Sequence, residues 1–126
     1  KPENKVIVFD DLGFGGTMRQ KKFNTVDKIV QNGRHYNLSS AFLIQGYKQL
    51  SPDVRANLSG LIIFNLSTRE LDSIIYEHIY LENSKQFLKL FRKTTRKPHS
   101  YFVINYSNNR DSLYMDQNFM PLKVDM

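Results

Sequence analysis

The chain has no cysteine and no tryptophan, and no apolar run near 18 residues occurs among its 126. Without cysteine it can form neither disulfides nor thiolate metal sites, which fits a reducing compartment. Without a long apolar run it has no transmembrane helix, and no signal peptide is recognisable. The chain begins with Lys1, and we expect it to be a processed product or a piece of a longer protein.

Acidic residues are in the minority, with 12 Asp and Glu against 18 Lys and Arg, which gives a net charge of +6. This excess favours a polyanionic partner, nucleic acid first, although a basic soluble protein without such a partner would have the same charge. Hydrophobic residues make up 40% of the chain. That is enough for a core, and the length corresponds to one domain or part of one.

The segment KVIVFDDLGFGG, residues 5–16, contains the clearest motif. Its β-branched apolar run, 6–9, predicts a strand buried on both faces of a parallel sheet. Asp10 and Asp11 follow at the carboxyl end, where open α/β sheets bind ligands. This is a Walker B pattern, in which one Asp holds a nucleotide-bound Mg²⁺ and the next acid polarises the attacking water. Acids that only cap the turn after a strand produce the same pattern.

The segment that follows predicts a βαβ unit. Apolar residues at helical spacing over 25–32 end at Gly33, a typical residue after a helix. A second apolar run, 40–44, ends at Gln45. Strand, helix and strand within about forty residues predict two parallel strands. Gln45 would then lie at the same sheet edge as the two aspartates.

Two further elements extend this pattern. A short helix begins at Ser51 and contains Arg55, a third apolar run covers 61–64, and a capping box at 67–70 opens a helix over 68–80. Hydrolysis of a γ-phosphate needs a metal ligand, a polarising carboxylate, a polar sensor and an arginine. Arg34 and Arg55 lie in segments that we expect to reach the sheet edge or a neighbouring subunit. The three βα units would place four polar side chains along that edge: Asp10, Asp11, Gln45 and Asn65.

The remaining chain predicts a helix from residue 84 with a basic end, then strands 101–106 and 112–115 as an antiparallel hairpin. The cations of that helix are interpreted first as a solvated helix terminus, and DNA contact is the alternative. The glycine-rich loop over 12–24 is either a solvated loop or one that reaches a phosphate backbone. The three histidines have no metal-site spacing, so no metal is assigned to them.

Three segments carry a resemblance to a known family: VIVFDD at 6–11, NGRHYNLSSAFLIQ at 32–45 and SPDVRANLSGLIIFNLS at 51–67. They resemble FtsK/HerA-superfamily ATPases, most of all the DNA-packaging ATPases of poxviruses, other large DNA viruses and virophages. The resemblance implies an α/β fold, the C-terminal part of one P-loop NTPase domain. That domain has a RecA-like, additional-strand sheet with flanking helices. Residues 5–80 would form its core, and 81–126 a helix and hairpin extension.

The resemblance also implies site roles, with ATP and Mg²⁺ as cofactors. Asp10 would be the Mg²⁺-side acid, Asp11 the water-polarising acid and Gln45 the sensor. Arg55 is the first candidate for an arginine finger acting across a subunit interface, and Arg34 the second. The family works as a ring, commonly hexameric, that pumps double-stranded DNA into a capsid at its portal or vertex, in the virion or in the viral factory of the host cytoplasm. Three basic residues of the glycine-rich loop would face the DNA channel: Arg19, Lys21 and Lys22.

One departure is large, because no G-x-x-x-x-G-K-[ST] motif occurs in the chain. We expect the phosphate-binding loop upstream of Lys1, so the chain alone should bind ATP poorly and not hydrolyse it. In the family the strand leading to that loop stands between strands 41–45 and 61–65. We therefore expect the isolated chain to rearrange its strand order or to pair with another chain.

Three other functions remain open at this point. One is a different ATPase of the same class, such as a helicase or a transposition ATPase. Another is a metal-dependent nuclease that uses Asp10 and Asp11 as two-metal ligands. The last is a nucleic-acid-binding module without chemistry.

Overall fold

The computed structural model describes residues 3–10, 24–78 and 84–123. The chain forms two compact units, Lys1–Leu58 and Ser59–Met126. No helix in the described part of the chain has both the length and the apolar character needed to cross a bilayer.

The first unit is the predicted βαβ arrangement. Two strands, β1 and β2, run parallel and in register, from Lys5 opposite Leu38 to Asp10 opposite Leu43. The parallel pairing is confirmed, and the second strand begins two residues earlier than predicted. The elements in chain order are β1 (Lys5–Asp10), α1 (Asn24–Asn32), a 3-10 turn (Gly33–Tyr36), β2 (Leu38–Leu43), a second 3-10 turn (Tyr47–Gln49) and α2 (Pro52–Ala56).

Gly33 ends α1 as predicted, and the structure supplies a further reason for glycine there. A Cβ atom at this position would lie 2.7 Å from the carbonyl oxygen of Leu38, the first residue of β2. Real Cβ atoms do not approach backbone oxygens so closely, so a larger residue would displace the entry into β2. Asn37, just before β2, has a φ of 54°, which asparagine tolerates better than most residues.

The core of the first unit lies on one face of the β1–β2 pair. Val26 of α1 packs with Leu50 and Val54, and the partly buried Phe9 and Phe42 pack against this cluster. The rings of Phe9 and Phe42 stack with centroids 5.0 Å apart. Because these two residues are partners in the strand register, the stacking ties β1 to β2 directly above the helices.

The prediction that β1 is buried on both faces is wrong for the described chain. Val6 and Val8 are 67% and 57% exposed, and Leu43 of β2 is 55% exposed. These residues alternate with the core-facing ones along the strands. A parallel sheet is buried on both sides only when segments cover both faces. The described helices of this unit cover one.

The second unit is built on an antiparallel sheet in the order β3–β4–β5. The predicted hairpin is confirmed, since β4 and β5 pair antiparallel with Val103 opposite Met115. Its second strand is shorter than predicted, because Arg110–Ser112 forms a 3-10 turn before it. The elements are β3 (Gly60–Phe64), α3 (Thr68–His78), α4 (Ser84–Thr94), β4 (Tyr101–Asn105) and β5 (Tyr114–Met115).

Aromatic rings form the centre of the second unit. Phe87 and Phe91 of α4 and Phe102 of β4 have no exposed surface. The ring centroid of Phe102 lies 5.3 Å from that of Phe87 and 5.7 Å from those of Phe91 and Tyr114. Edge-on and tilted contacts at such distances add stability beyond area burial. The spacing of four between Phe87 and Phe91 puts both rings on one face of α4.

Strand β3 differs from the prediction in its burial. We expected residues 61–64 to form a buried strand, but Ile62 and Phe64 are 59% and 52% exposed, while Ile63 is buried. Every residue of this run is apolar, so the sequence gives no sign that buried and exposed side chains alternate along the strand. That alternation depends on how the strand packs. Among the described strands, β3 pairs with β4 alone and β2 pairs with β1 alone.

Candidate functional site

The carboxyl end of the β1–β2 pair brings together two of the predicted site residues. Asp10 is the last residue of β1 and lies opposite Leu43, and Gln45 follows two residues later in the chain. Both side chains are exposed. A carboxylate and an amide therefore stand at the end of a parallel sheet, which is where α/β proteins bind their ligands.

The backbone at Gln45 is held by a side chain that the sequence analysis did not single out. Gln49 Oε1 accepts hydrogen bonds from the backbone N–H groups of Gln45 and Gly46, at 3.2 and 3.1 Å. The N–H of Gln49 donates back to the Gly46 carbonyl at 3.1 Å. This reciprocal pattern is a capping box. The available signal was a Gln three residues after a glycine that follows a predicted strand.

Arg55 is tied to the same turn through Tyr47. The Arg55 guanidinium carbon lies 5.5 Å from the centroid of the Tyr47 ring, within the range of cation–π attraction. Tyr47 is only 5% exposed and belongs to the 3-10 turn that follows Gln45. The turn and the arginine are therefore parts of one local structure.

The position of Arg55 follows from how α2 starts. Ser51 caps this helix, with its Oγ accepting from the Val54 N–H at 3.2 Å, and Pro52 occupies the first turn. Val54 is fully buried in the core of the unit. Burial of Val54 anchors the helix, so the next residue, Arg55, points along the rim of that core to Tyr47. The predicted start of a short helix at Ser51 is confirmed.

Arg34 lies at the other end of the sheet. It belongs to the 3-10 turn Gly33–Tyr36, three residues before Asn37, whose carbonyl accepts from the Lys5 N–H at 2.9 Å. Lys5 and Asp10 are the two ends of β1, which are roughly 16 Å apart in a six-residue strand. The backbone of Arg34 therefore lies near the end of β1 opposite to Asp10. A role at a neighbouring subunit stays a prediction.

Asn65, the fourth predicted edge residue, belongs to the second unit and has a specific partner there. Arg92 of α4 donates from Nη1 to the Asn65 Oδ1 at 2.7 Å and to the Leu66 carbonyl, and from Nη2 to Thr68 Oγ1 at 3.3 Å. The planar guanidinium suits such a fork of acceptors. We predicted Arg92 only as one of the cations at a helix end. Its contacts pin the connection between β3 and α3.

Comparison with known proteins decides the family. The family model described as "Poxvirus A32 protein" matches residues 1–119. The chain belongs to the poxvirus A32 protein family. This agrees with the resemblance to poxvirus-type packaging ATPases that the three sequence segments carry.

Individual relatives agree with this family membership. The chain is 29% identical over 75 residues, 60% of its length, to proteins named "DNA packaging protein OPG160" from variola virus and from vaccinia virus, strain Western Reserve. The protein of the same name from monkeypox virus is equally similar. The match covers 26% of the variola and vaccinia proteins and 24% of the monkeypox protein, so the chain spans about a quarter of the length of the curated relatives it matches. No solved structure matches the chain.

Asp10 is the described residue that could take part in holding a magnesium ion at this end of the sheet. Mg²⁺ at nucleotide sites is commonly held by one or two carboxylates together with phosphate oxygens and water. Asp10 offers one exposed carboxylate at the correct end of the sheet. No cluster of three or more His, Asp or Glu side chains that could hold a metal occurs among the residues described. Predicted site residues that lie outside these residues are Asp11, Arg19, Lys21 and Lys22.

Proposed function

We propose that this chain is the Walker B part of an ATP-hydrolysing motor that moves double-stranded DNA into a viral capsid. The observation that carries the proposal is the register of β1 and β2. It puts Asp10 and the Gln45 turn at one end of a parallel sheet, in a chain of the poxvirus A32 family. Relatives of the chain are named DNA packaging proteins, which supports DNA as the substrate.

In this proposal the residues at that end have separate tasks. Asp10 binds the Mg²⁺ of the nucleotide through water, and the ion supplies charge neutralisation at the β- and γ-phosphates. Asp11 orients and polarises the water that attacks the γ-phosphate. Gln45, whose backbone is held by the Gln49 side chain, senses whether the γ-phosphate is present.

Arg55 is proposed as the arginine that acts on the nucleotide of a neighbouring subunit in a ring. Tyr47 supports this role, because its ring lies beneath the Arg55 guanidinium. The contact restricts the orientation of the guanidinium and does not neutralise its positive charge. Arg34 is the second candidate. Its place at the amino end of the sheet favours a contact with a neighbour over one with its own Asp10.

The phosphate-binding loop is proposed to lie in another part of the full-length protein. The chain has no G-x-x-x-x-G-K-[ST] motif, and it spans about a quarter of its relatives. The isolated chain should consequently bind ATP weakly and not turn it over.

The experiment that tests the proposal is Asp11→Asn in the full-length protein. ATP binding should persist because Asp10 remains, while hydrolysis should fall by at least about a hundredfold because the carboxylate that polarises the water is lost. The matched control is Asp72→Asn, which removes an exposed carboxylate from α3 and should leave turnover unchanged. Normal hydrolysis in Asp11→Asn would show that the Walker B assignment is wrong.

A mixing experiment tests the arginine separately. Arg55→Ala should lower turnover without weakening ATP binding to a single subunit. Rings that combine Arg55→Ala subunits with Asp11→Asn subunits should regain part of the activity, since some interfaces then contain both intact groups. Mixed rings that stay as inactive as each variant would place Arg55 outside the neighbour's site.

A further inference from the structure

The positive charge of the chain is concentrated in one segment. Residues 84–100 contain six Lys and Arg and no carboxylate, and the rest of the chain contains twelve of each sign. The net charge of +6 is therefore the charge of this segment. A cluster of one sign creates a local potential that attracts the opposite charge, and a balanced remainder does not oppose it.

The structure displays these cations on the outside of α4. Lys89 and Lys93 are exposed and follow each other at a spacing of four, while Phe87 and Phe91 of the same helix are fully buried. At 100° per residue the two lysines stand opposite the two phenylalanines. The aromatic core therefore fixes the helix with its charged face outward.

Two more cations extend this face beyond the helix. Arg96 and Lys97 follow the end of α4 at Thr94 and are exposed. We name Lys89, Lys93, Arg96 and Lys97 the basic strip. None of the four side chains pairs with a carboxylate within the ranges that the structure describes. Arg92 is separate from the strip, because its guanidinium is engaged at the β3–α3 connection.

The helix dipole does not account for the basic strip. Cations in the last turn of a helix gain about 0.3–1 kcal/mol from the dipole, and this explains Lys93. Lys89 lies nearer the middle of α4, and Arg96 and Lys97 lie after its end. A solvent-exposed helix face that only kept the protein soluble would mix both signs of charge.

We propose that the basic strip binds the phosphate backbone of double-stranded DNA. This inference rests on the proposed function, which supplies duplex DNA as the polyanion. Lysines one helical turn apart are about 6 Å from each other along the axis, and flexible side chains can follow successive phosphates at that scale. Backbone contacts carry no base preference, as a motor that moves along any sequence requires.

The test is duplex binding by the full-length protein at several salt concentrations. The variant Lys89→Gln/Lys93→Gln/Arg96→Gln removes three charges from the strip. The matched control Lys28→Gln/Lys48→Gln/Lys123→Gln removes three charges from exposed lysines elsewhere. The probe is a fluorescent duplex of mixed sequence, followed by anisotropy without nucleotide.

The slope of log affinity against log salt should be shallower by about 3 in the strip variant, one unit per lost phosphate contact. Between about 50 and 200 mM salt, wild-type affinity should then fall about 50-fold more than that of the variant. The control should keep the wild-type slope. Equal slopes in all three proteins, or equal losses in the variant and the control, would overturn the inference.

ATP hydrolysis without DNA separates this inference from the proposed function. One outcome is that Asp11→Asn abolishes hydrolysis while the strip variant binds DNA as the wild type does. This outcome would overturn the DNA-binding role of the basic strip and leave the motor proposal intact. Absence of hydrolysis in the wild type overturns the motor, whatever the strip does. Unchanged duplex binding with lost binding to polyglutamate would assign the strip to an acidic protein and would also overturn the inference.

Discussion

Replacing Gly33 by alanine tests the tightest backbone contact of the first unit. The new Cβ would lie 2.7 Å from the Leu38 carbonyl oxygen, against an ordinary contact of about 3.4 Å or more. Overpacking of this kind costs about 1–3 kcal/mol. Alanine also restricts the unfolded chain, which returns about 0.4–1 kcal/mol. The net loss of stability should be about 1–2 kcal/mol.

The loss should be local to the amino end of the β1–β2 pair, because Leu38 starts β2 and the Lys5 N–H donates to Asn37 beside it. Amide hydrogen exchange of the full-length protein resolves this. Exchange in peptides that contain Lys5 should accelerate about five- to thirtyfold, as expected for a 1–2 kcal/mol lower opening free energy. Peptides from β4 should exchange at the wild-type rate.

The control is Asn32→Ala at the exposed end of α1. It changes the neighbouring residue without meeting Leu38 and should leave the exchange of Lys5 unchanged. Wild-type protection in Gly33→Ala would refute the close approach. Glycine at this position would then have to be explained by helix termination alone.

Three further changes follow from the contacts described. Arg92→Lys loses the fork of donors to the β3–α3 connection and should destabilise the first turn of α3 by about 1–2 kcal/mol, which faster exchange there would show. Phe102→Ala opens a cavity among buried rings and should lower the free energy of unfolding by about 3–5 kcal/mol; a loss under 1 kcal/mol, measured by urea titration, would contradict the ring packing. Tyr47→Leu removes the ring beneath Arg55 and should slow ATP turnover about two- to thirtyfold at unchanged ATP affinity. Unchanged turnover would show that the function of Arg55 does not depend on Tyr47.

Local signals in the sequence predicted the elements of the fold well. The serine half of the predicted capping box is present, with Ser67 Oγ accepting from the Glu70 N–H at 3.3 Å, and α3 begins at Thr68. Strand β1 ends at Asp10 and pairs parallel with β2, as the βαβ pattern requires. Caps, apolar periodicity and short connections are encoded within a few residues, so a single sequence reveals them.

Properties that depend on distant residues could not be predicted in the same way. Asn65 and Arg92 are 27 positions apart, and no local pattern connects an asparagine after a strand to an arginine on a later helix. The exposure of Ile62 and Val8 depends on which segments cover each face of the sheet. The sequence of the strand itself does not specify those segments. The same holds for the roles of the site residues, which need a nucleotide and neighbouring subunits.

The exposed face of β1 and β2 has a practical consequence for anyone who produces this chain by itself. Val6, Val8 and Leu43 form an apolar surface on a sheet that has two strands within the described ranges, and open strand edges recruit further strands. Recombinant chain should therefore collect in inclusion bodies or as soluble aggregates. The substitution Val8→Lys, which places a charge on this surface, should raise the monomeric yield.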